Sequence, residues 1–183
     1  MNLLPKIAQG DLQALELLYE QYKTKVYRLA LSLTADPYLA EDITQETFLR
    51  IQEHAPSYRR DLSETAWIVT IARNLSYDAL RRRSREVLGN PAEEIEETDI
   101  AYSSALSRAI STNIDTARDS LSNFYFLELL ERLNSQEKEV VCLRILADLP
   151  WNEIGRVTGQ SADASRKRYT RALKKLRHQL VTD

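Results

Sequence analysis

The chain has 183 residues, enough for one domain or two small ones. Only four Gly and five Pro, with 28% charged and 43% hydrophobic residues, favour an all-α protein of ordinary soluble composition. A single cysteine, Cys142, excludes an internal disulfide framework and fits a reducing compartment. No apolar run is long enough to span a membrane, and the N-terminus lacks a signal peptide's features, so we expect a cytoplasmic protein without membrane insertion.

Charge is unevenly distributed along the chain. The net charge is only −2, yet residues 81–85 are basic, residues 86–99 are acidic and residues 166–177 are basic again. Two basic patches separated by an acidic stretch suggest two nucleic-acid contacts. Ordinary alternation of solvated charges is the other interpretation.

Three helices are predicted in the first part of the chain. The first begins after Gly10, with Asp11 as its N-cap. The second follows Asp36-Pro37 and covers 38–53, with Ala40, Ile43, Thr47 and Ile51 facing inward. The third begins near Ala66 after a polar, basic loop at 57–63. Helices of this length can pack as one antiparallel cluster.

The third predicted helix has two contrasting faces. Its apolar face holds Ile68, Ile71, Ala72, Leu75 and Ala79. The opposite face carries Trp67, Thr70, Arg73, Asn74, Tyr77 and Arg81. Aromatic rings among amides and guanidinium groups suit unpaired bases and their phosphates. Alternatively this is a surface helix with a basic end, and Trp67 seals the edge of a core.

A linker is predicted between two domains. Gly89-Asn90-Pro91 breaks the helical pattern, and an acidic run from Glu93 to Asp99 follows it. We therefore expect a domain at 1–85, an acidic and partly helical linker at 86–125, and a second domain at 126–183.

The second domain has the pattern of a helix-turn-helix. Helices are predicted at 126–133 and 135–147, the latter opened by an Asn134–Glu137 capping box. A short helix at 148–158, a turn at Gly159-Gln160 and a final helix capped by Ser161 follow. The face of the final helix that is predicted to point inward carries Tyr169, Ala172, Leu173, Leu176 and Leu180. Its outer face carries Arg166, Lys167, Thr170, Arg171, Lys174 and Arg177.

Four segments together are typical of one known family: residues 39–50 (LAEDITQETFLR), 66–83 (AWIVTIARNLSYDALRRR), 149–155 (LPWNEIG) and 166–177 (RKRYTRALKKLR). In this order they resemble bacterial RNA polymerase sigma factors of the sigma-70 family, and the resemblance covers roughly 8–85 and 126–180. The chain is most similar to the small extracytoplasmic-function (ECF) type. The resemblance implies a factor that binds core RNA polymerase, recognises two promoter elements and promotes DNA melting, in a stress or envelope response.

The resemblance also implies roles for individual residues. Polymerase docking would fall to Tyr38, Asp42, Gln45, Glu46, Leu49 and Glu53. The minus-ten element would be contacted by Tyr58, Arg59, Trp67, Asn74, Tyr77, Arg81, Arg82 and Arg83. The minus-thirty-five element would be contacted by Arg144, Trp151, Arg166, Lys167, Thr170 and Arg171. Partners would be core RNA polymerase, promoter DNA and an anti-sigma factor, with no cofactor, metal or catalytic residue.

Two positions depart from the family pattern. Asp163-Ala164-Ser165 stands where a Gly-Thr-Val is common, which removes a buried Val and puts an acid close to DNA. Pro150 stands where a Ser or Thr cap is usual, although Pro is tolerated in a first helical turn.

Two other classes of function fit the sequence less well. A dimeric helix-turn-helix regulator would bind duplex DNA without polymerase, but it leaves the aromatic face and the acidic helix without a purpose. An enzyme or adaptor is disfavoured because His54 and His178 lack metal-site spacing and no phosphate-binding Gly loop or nucleophile motif occurs. Cys142 lies in an apolar stretch and is expected in the core.

Overall fold

Residues 2–88 and 125–180 are described by the computed structural model, and within these ranges helices are joined by turns without any strand. The first domain consists of α1 (Leu4–Ile7), α2 (Leu12–Thr34), α3 (Pro37–His54), a 3₁₀ turn (Ala55–Ser57) and α4 (Glu64–Leu88). The second domain contains α5, described over 125–131, followed by α6 (Ser135–Ile145), α7 (Trp151–Thr158) and α8 (Ala162–Leu180).

The predicted linker is mostly outside these ranges. Residues 86–88 continue α4 by one turn beyond the expected boundary, and the acidic run lies outside the described residues. Among the described helices, none combines the length and the apolar character needed to cross a membrane.

The predicted helix starts are confirmed by their caps. The Asp11 carboxylate accepts a hydrogen bond from the backbone N of Ala14 at 3.0 Å, and Asp36 accepts from the backbone N of Tyr38 and Leu39. Asn134 and Glu137 form both halves of the capping box that opens α6. These caps satisfy N–H groups that the first helical turn leaves unpaired.

The first domain packs α2, α3 and α4 around one core. Leu18, Leu29, Ile51 and Ile68 are fully buried there. The four residues of α3 predicted to face inward are all buried, which confirms the pattern. The hydroxyl of Thr47 donates to the carbonyl of Ile43 at 2.6 Å, so this buried polar group is satisfied.

Helix α1 is too short to be visible in the sequence pattern, yet it closes one end of this core. Its Leu4 and Ile7 are buried. The backbone N of Leu3 donates to Glu64 at 2.6 Å, and the hydroxyl of Tyr22 donates to the same carboxylate at 3.2 Å. Burial and the nearby Glu64 raise the pKa of Tyr22. Glu64 thereby joins α1, α2 and α4 at the point where α4 begins.

The second domain is built on a tight turn between α7 and α8. A Cβ at Gly155 would lie 2.6 Å from the carbonyl oxygen of Gln160, so only glycine permits this approach. Gly159 ends α7 with φ +69°, a left-handed conformation that glycine adopts without strain. Ser161 caps α8 by accepting from the backbone N of Ala164 at 3.1 Å, as predicted.

One predicted core position in α8 is wrong. Leu173 is 37% exposed, whereas Ser165 and Ala172 are fully buried. Successive residues of an α-helix are rotated by about 100°, so Leu173 lies beside the buried face that Ala172 occupies. Tyr169 and Leu176 are half-buried, and the side chain of Leu180 lies outside the described residues. The small inward residues let α8 approach its neighbours closely.

Candidate nucleic-acid interface

The outer face of α4 is more covered than the sequence predicts. Asn74 and Arg81 are exposed, but Trp67, Arg73 and Tyr77 are half-buried. The helical phase was predicted correctly, since Ile68, Ala72 and Ala79 are buried. The expectation of an open face is wrong because neighbouring elements pack against this face.

Trp67 is packed against the loop that precedes α4. Its ring meets the ring of Tyr58 edge to face, with centroids 5.3 Å apart. The hydroxyl of Tyr58 donates to the carbonyl of Leu62 at 2.8 Å, which fixes the loop beside Trp67. Arg59 in the same loop is exposed. Two aromatic residues predicted to contact bases are therefore brought together, and one basic residue lies next to them.

Arg73 organises the middle of α4, although it is not among the site residues that the sequence predicts. Its guanidinium lies 4.9 Å from the centroid of the Tyr77 ring, and its Nη1 donates to Asn74 Oδ1 at 3.0 Å. It also pairs with the carboxylate of Glu139 in α6. Glu139 is 66 residues away in sequence, so no local signal reveals this partner.

The arginines at the end of α4 differ in exposure and in the contacts they make. Arg82 is exposed, and Arg81 is exposed while pairing with Asp78 one turn earlier. Arg83 instead donates to Asp36 at 2.9 Å, the residue that caps α3. Arg83 thus joins α4 to α3, whereas the side chains of Arg81 and Arg82 remain exposed.

Helix α3 presents a mixed apolar and polar outer face. Tyr38 is 65% exposed and Leu49 is 61% exposed on the same side of the helix. Asp42, Gln45 and Glu53 are exposed around them, and Glu46 is half-buried. Arg50 lies 2.8 Å from Glu46 and 3.5 Å from Glu53, so the acidic side of the patch is partly neutralised.

The outer face of α8 is a continuous basic surface. All six residues predicted for this face are exposed: Arg166, Lys167, Thr170, Arg171, Lys174 and Arg177. Asp163 lies 3.4 Å from the guanidinium of Arg166, so the acid that departs from the family pattern contacts the first arginine of this face.

Arg144 and Trp151 support the helix-turn-helix from within. The Arg144 guanidinium lies 5.2 Å from the Trp151 ring centroid, and that ring meets Tyr169 of α8 edge to face at 5.2 Å. Arg144 also donates to the carbonyl of Leu149 at 2.8 Å. Both predicted DNA contacts are therefore also packing residues that orient α7 relative to α8.

Among the described residues, no three His, Cys, Asp or Glu side chains lie close enough together to hold a metal ion. Cys142 is fully buried, as expected, and burial raises the pKa of its thiol to about 12.

Both described parts of the chain match regions of one known protein family. Residues 18–86 match Sigma-70 region 2 and residues 129–178 match Sigma-70 region 4. The chain is 32% identical to the ECF RNA polymerase sigma factor BldN of Streptomyces coelicolor, over all of this chain and 66% of BldN. It is also 32% identical to the ECF RNA polymerase sigma factor SigM of Bacillus subtilis, over 61% of this chain and 74% of SigM.

Two solved structures share the fold. CnrH, in complex with the cytosolic domain of CnrY, matches with a TM-score of 0.69 and 21% identity, over 99% of this chain and 96% of that chain. The sigma factor RpoE of Bartonella quintana, in complex with the anti-sigma factor NepR, matches with a TM-score of 0.66 and 21% identity, over 92% and 97%. The region matches and the relatives lead to one assignment: the chain belongs to the sigma-70 family of RNA polymerase sigma factors, in its extracytoplasmic-function group.

Proposed function

We propose that this chain is a promoter-specificity subunit that binds core RNA polymerase, recognises two promoter elements and promotes melting of the first. One observation supports this proposal above others: each of the two sigma-70 regions contains a surface whose chemistry suits DNA, and the two surfaces differ. Region 2 contains the aromatic and arginine cluster of α4, and region 4 contains the exposed basic face of α8. Such a subunit directs the polymerase and has no catalysis of its own.

Helix α8 is proposed to read the minus-thirty-five element as duplex DNA. The second helix of a helix-turn-helix enters the major groove with its first turns toward the bases. Arg166, Lys167, Thr170 and Arg171 occupy those turns and are exposed. An arginine there can contact a guanine edge with two hydrogen bonds. Lys174 and Arg177 lie farther along the helix and are better placed for phosphates.

Helix α4 and the loop before it are proposed to hold the minus-ten element as unpaired DNA. Unpaired bases bind by stacking on aromatic rings while cations neutralise the backbone. Trp67, Tyr58 and Tyr77 supply rings, Asn74 supplies an exposed amide, and Arg59 supplies a cation. Arg81 and Arg82 continue the basic surface toward the adjacent phosphates.

Helix α3 is proposed as the polymerase-docking surface. Exposed Tyr38 and Leu49 supply apolar area, and the surrounding carboxylates and amide give polar complementarity. We further propose that an anti-sigma partner controls the chain in the cytoplasm, as part of a stress or envelope response. RpoE, which shares the fold, was solved with the anti-sigma factor NepR, and CnrH was solved with the cytosolic domain of CnrY.

Leu49→Ala tests the docking surface. The substitution removes most of an exposed side chain that makes no core contact, so folding should be preserved. Affinity for core polymerase should fall about tenfold, the loss expected of a central apolar contact. Leu12→Ala is the matched control, since Leu12 is a similarly exposed leucine (68%) on α2 that is not among the proposed docking residues.

Binding of both variants to core polymerase is compared by titration of labelled protein. Equal affinities for Leu49→Ala and Leu12→Ala would contradict the docking assignment. Sequence-specific duplex binding by the parent chain without a stable polymerase complex would favour the dimeric regulator instead.

A further inference from the structure

Helix α7 of the second domain holds the loop that leads into α4. Ser63 caps α4, because its Oγ accepts a hydrogen bond from the backbone N of Ala66 at 3.1 Å. The backbone N of Ser63 donates to one oxygen of Glu153 at 2.8 Å, and the Ser63 hydroxyl donates to the other oxygen at 2.7 Å. Arg156 donates to the carbonyl of Asp61. Two side chains of α7 therefore fix residues 61–63.

Helix α6 contacts the same surface through a buried ion pair. Glu139 is 8% exposed and its partner Arg73 is 23% exposed. A carboxylate buried to this degree requires a charged partner, so the pair belongs to a packed interface. Arg73 also contacts Asn74 and Tyr77, two of the residues proposed to receive unpaired bases.

Further contacts between the two domains are buried. Cys142 of α6 is fully buried and hydrogen-bonds to Ser32 of α2. Leu127 of α5 belongs to one cluster with Leu31 of α2 and Ala79 of α4. The two domains therefore share a buried interface, and its polar edge lies on the loop and the outer face of α4.

We propose that the second domain is an intramolecular partner of the α4 surface, and that it competes there with unpaired DNA. The inference rests on the proposed role of α4. Glu153 and Glu139 occupy a backbone N–H at a helix N-terminus and an arginine guanidinium, which are donors that DNA phosphates also use. The outer face of α8 stays exposed, so the same closed arrangement leaves the duplex-reading surface accessible.

The Glu139→Ala/Glu153→Ala double variant tests this interface. Its loss of an ion pair and two hydrogen bonds should separate the domains more often while each helical core remains intact. Glu20→Ala is the control, because it removes the same kind of side chain from an exposed pair with Lys23 on α2. If the double variant loses its helical circular dichroism, Glu153→Ala alone gives the same test from the edge of the interface.

Cys142 provides the readout of opening. It is the only cysteine, and its burial against α2 and its raised pKa of about 12 make the thiol unreactive in the closed arrangement. At a pH of about 8, thiol labelling should be about tenfold faster in the double variant than in the parent, equivalent to about 1.4 kcal/mol of opening. X-ray scattering should show a larger radius of gyration. Parental labelling and an unchanged radius would overturn the proposal.

The second part of the experiment measures the affinity for single-stranded DNA. Fluorescent single-stranded oligonucleotides of random sequence should bind the double variant about tenfold more tightly than the parent or Glu20→Ala. Equal binding by parent and open variant would exclude competition at α4. Failure of the proposed function looks different: the variant would open, yet single strands would bind neither the open chain nor its complex with core polymerase.

Discussion

Trp67 and Tyr77 each take part in both packing and the proposed base recognition, and Arg73 holds Tyr77 in place. Trp67 packs on Tyr58, and Arg73 lies over Tyr77 while pairing with Glu139. A half-buried aromatic ring is held rigidly, which reduces the entropy lost when a base stacks on it. Packing of Trp67 at the edge of the core is therefore compatible with the proposed stacking of a base on its ring.

Trp67→Ala separates these descriptions at the residue scale. Loss of one stacking ring should reduce open-complex formation by about tenfold or more, since base–aromatic stacking contributes about 1–3 kcal/mol. Affinity for minus-thirty-five duplex should stay at the parental level. Permanganate reactivity of unpaired thymines measures the first quantity, and fluorescence anisotropy measures the second. Equal losses in both, with a lower melting temperature, would assign Trp67 a structural role, and Trp67→Phe should retain much of the activity.

Residue types and local spacing were enough to predict part of this site. The sequence placed Trp67, Asn74 and Tyr77 on one face of α4 because helical periodicity is local. It could not reveal that Glu139 pairs with Arg73 on that face or that Glu153 binds Ser63 just before the helix, because those contacts span 66 and 90 residues of sequence. Arg73 shows the same limit, since its importance depends on a partner in the other domain.

Helix ends were predicted well at the scale of elements. Asp11, Asn134 and Ser161 were each expected as caps, and each accepts the expected hydrogen bond. Capping depends on residues within one turn, so the sequence contains the whole signal. Leu173 was placed inward wrongly because it lies about 100° around the helix from the buried Ala172, and apolar spacing does not fix how wide the covered face is.

The α7–α8 turn gives a prediction for Gly155. In Gly155→Ala the new Cβ would lie 2.6 Å from the carbonyl oxygen of Gln160 and 3.0 Å from the backbone N of Ala162. Both atoms are backbone, so the helices must shift, at an expected cost of about 1–3 kcal/mol. Urea denaturation measures this loss, and duplex binding should weaken because α8 tilts.

Gly159→Asn is the matched control for that prediction. Gly159 has φ +69°, which Asn tolerates, and no atom lies within 4 Å of the position that a Cβ would take there. Its loss of stability should stay below about 1 kcal/mol. A Gly155→Ala protein as stable as Gly159→Asn would show that the turn does not require the close approach.

For the whole molecule, the sequence correctly predicted two helical domains, the second a helix-turn-helix. The contact between those domains could not be predicted, since it joins residues that are far apart in sequence, such as Ser32 and Cys142, and nothing in the sequence around either residue indicates its partner. The outer face of α8 is exposed while Trp67, Arg73 and Tyr77 of α4 are half-buried, an arrangement that suits the proposed subunit if its two DNA contacts are made at different stages.

Transcription by core RNA polymerase on a library of randomised promoter sequences tests the central claim most directly. Sequencing of the RNA 5′ ends identifies the promoters that are used. With the purified chain added, start sites should be confined to sequences that share two separated elements, and core polymerase alone should show no such enrichment. An identical distribution of start sites with and without the chain, despite sequence-specific duplex binding by the chain, would contradict a promoter-specificity role.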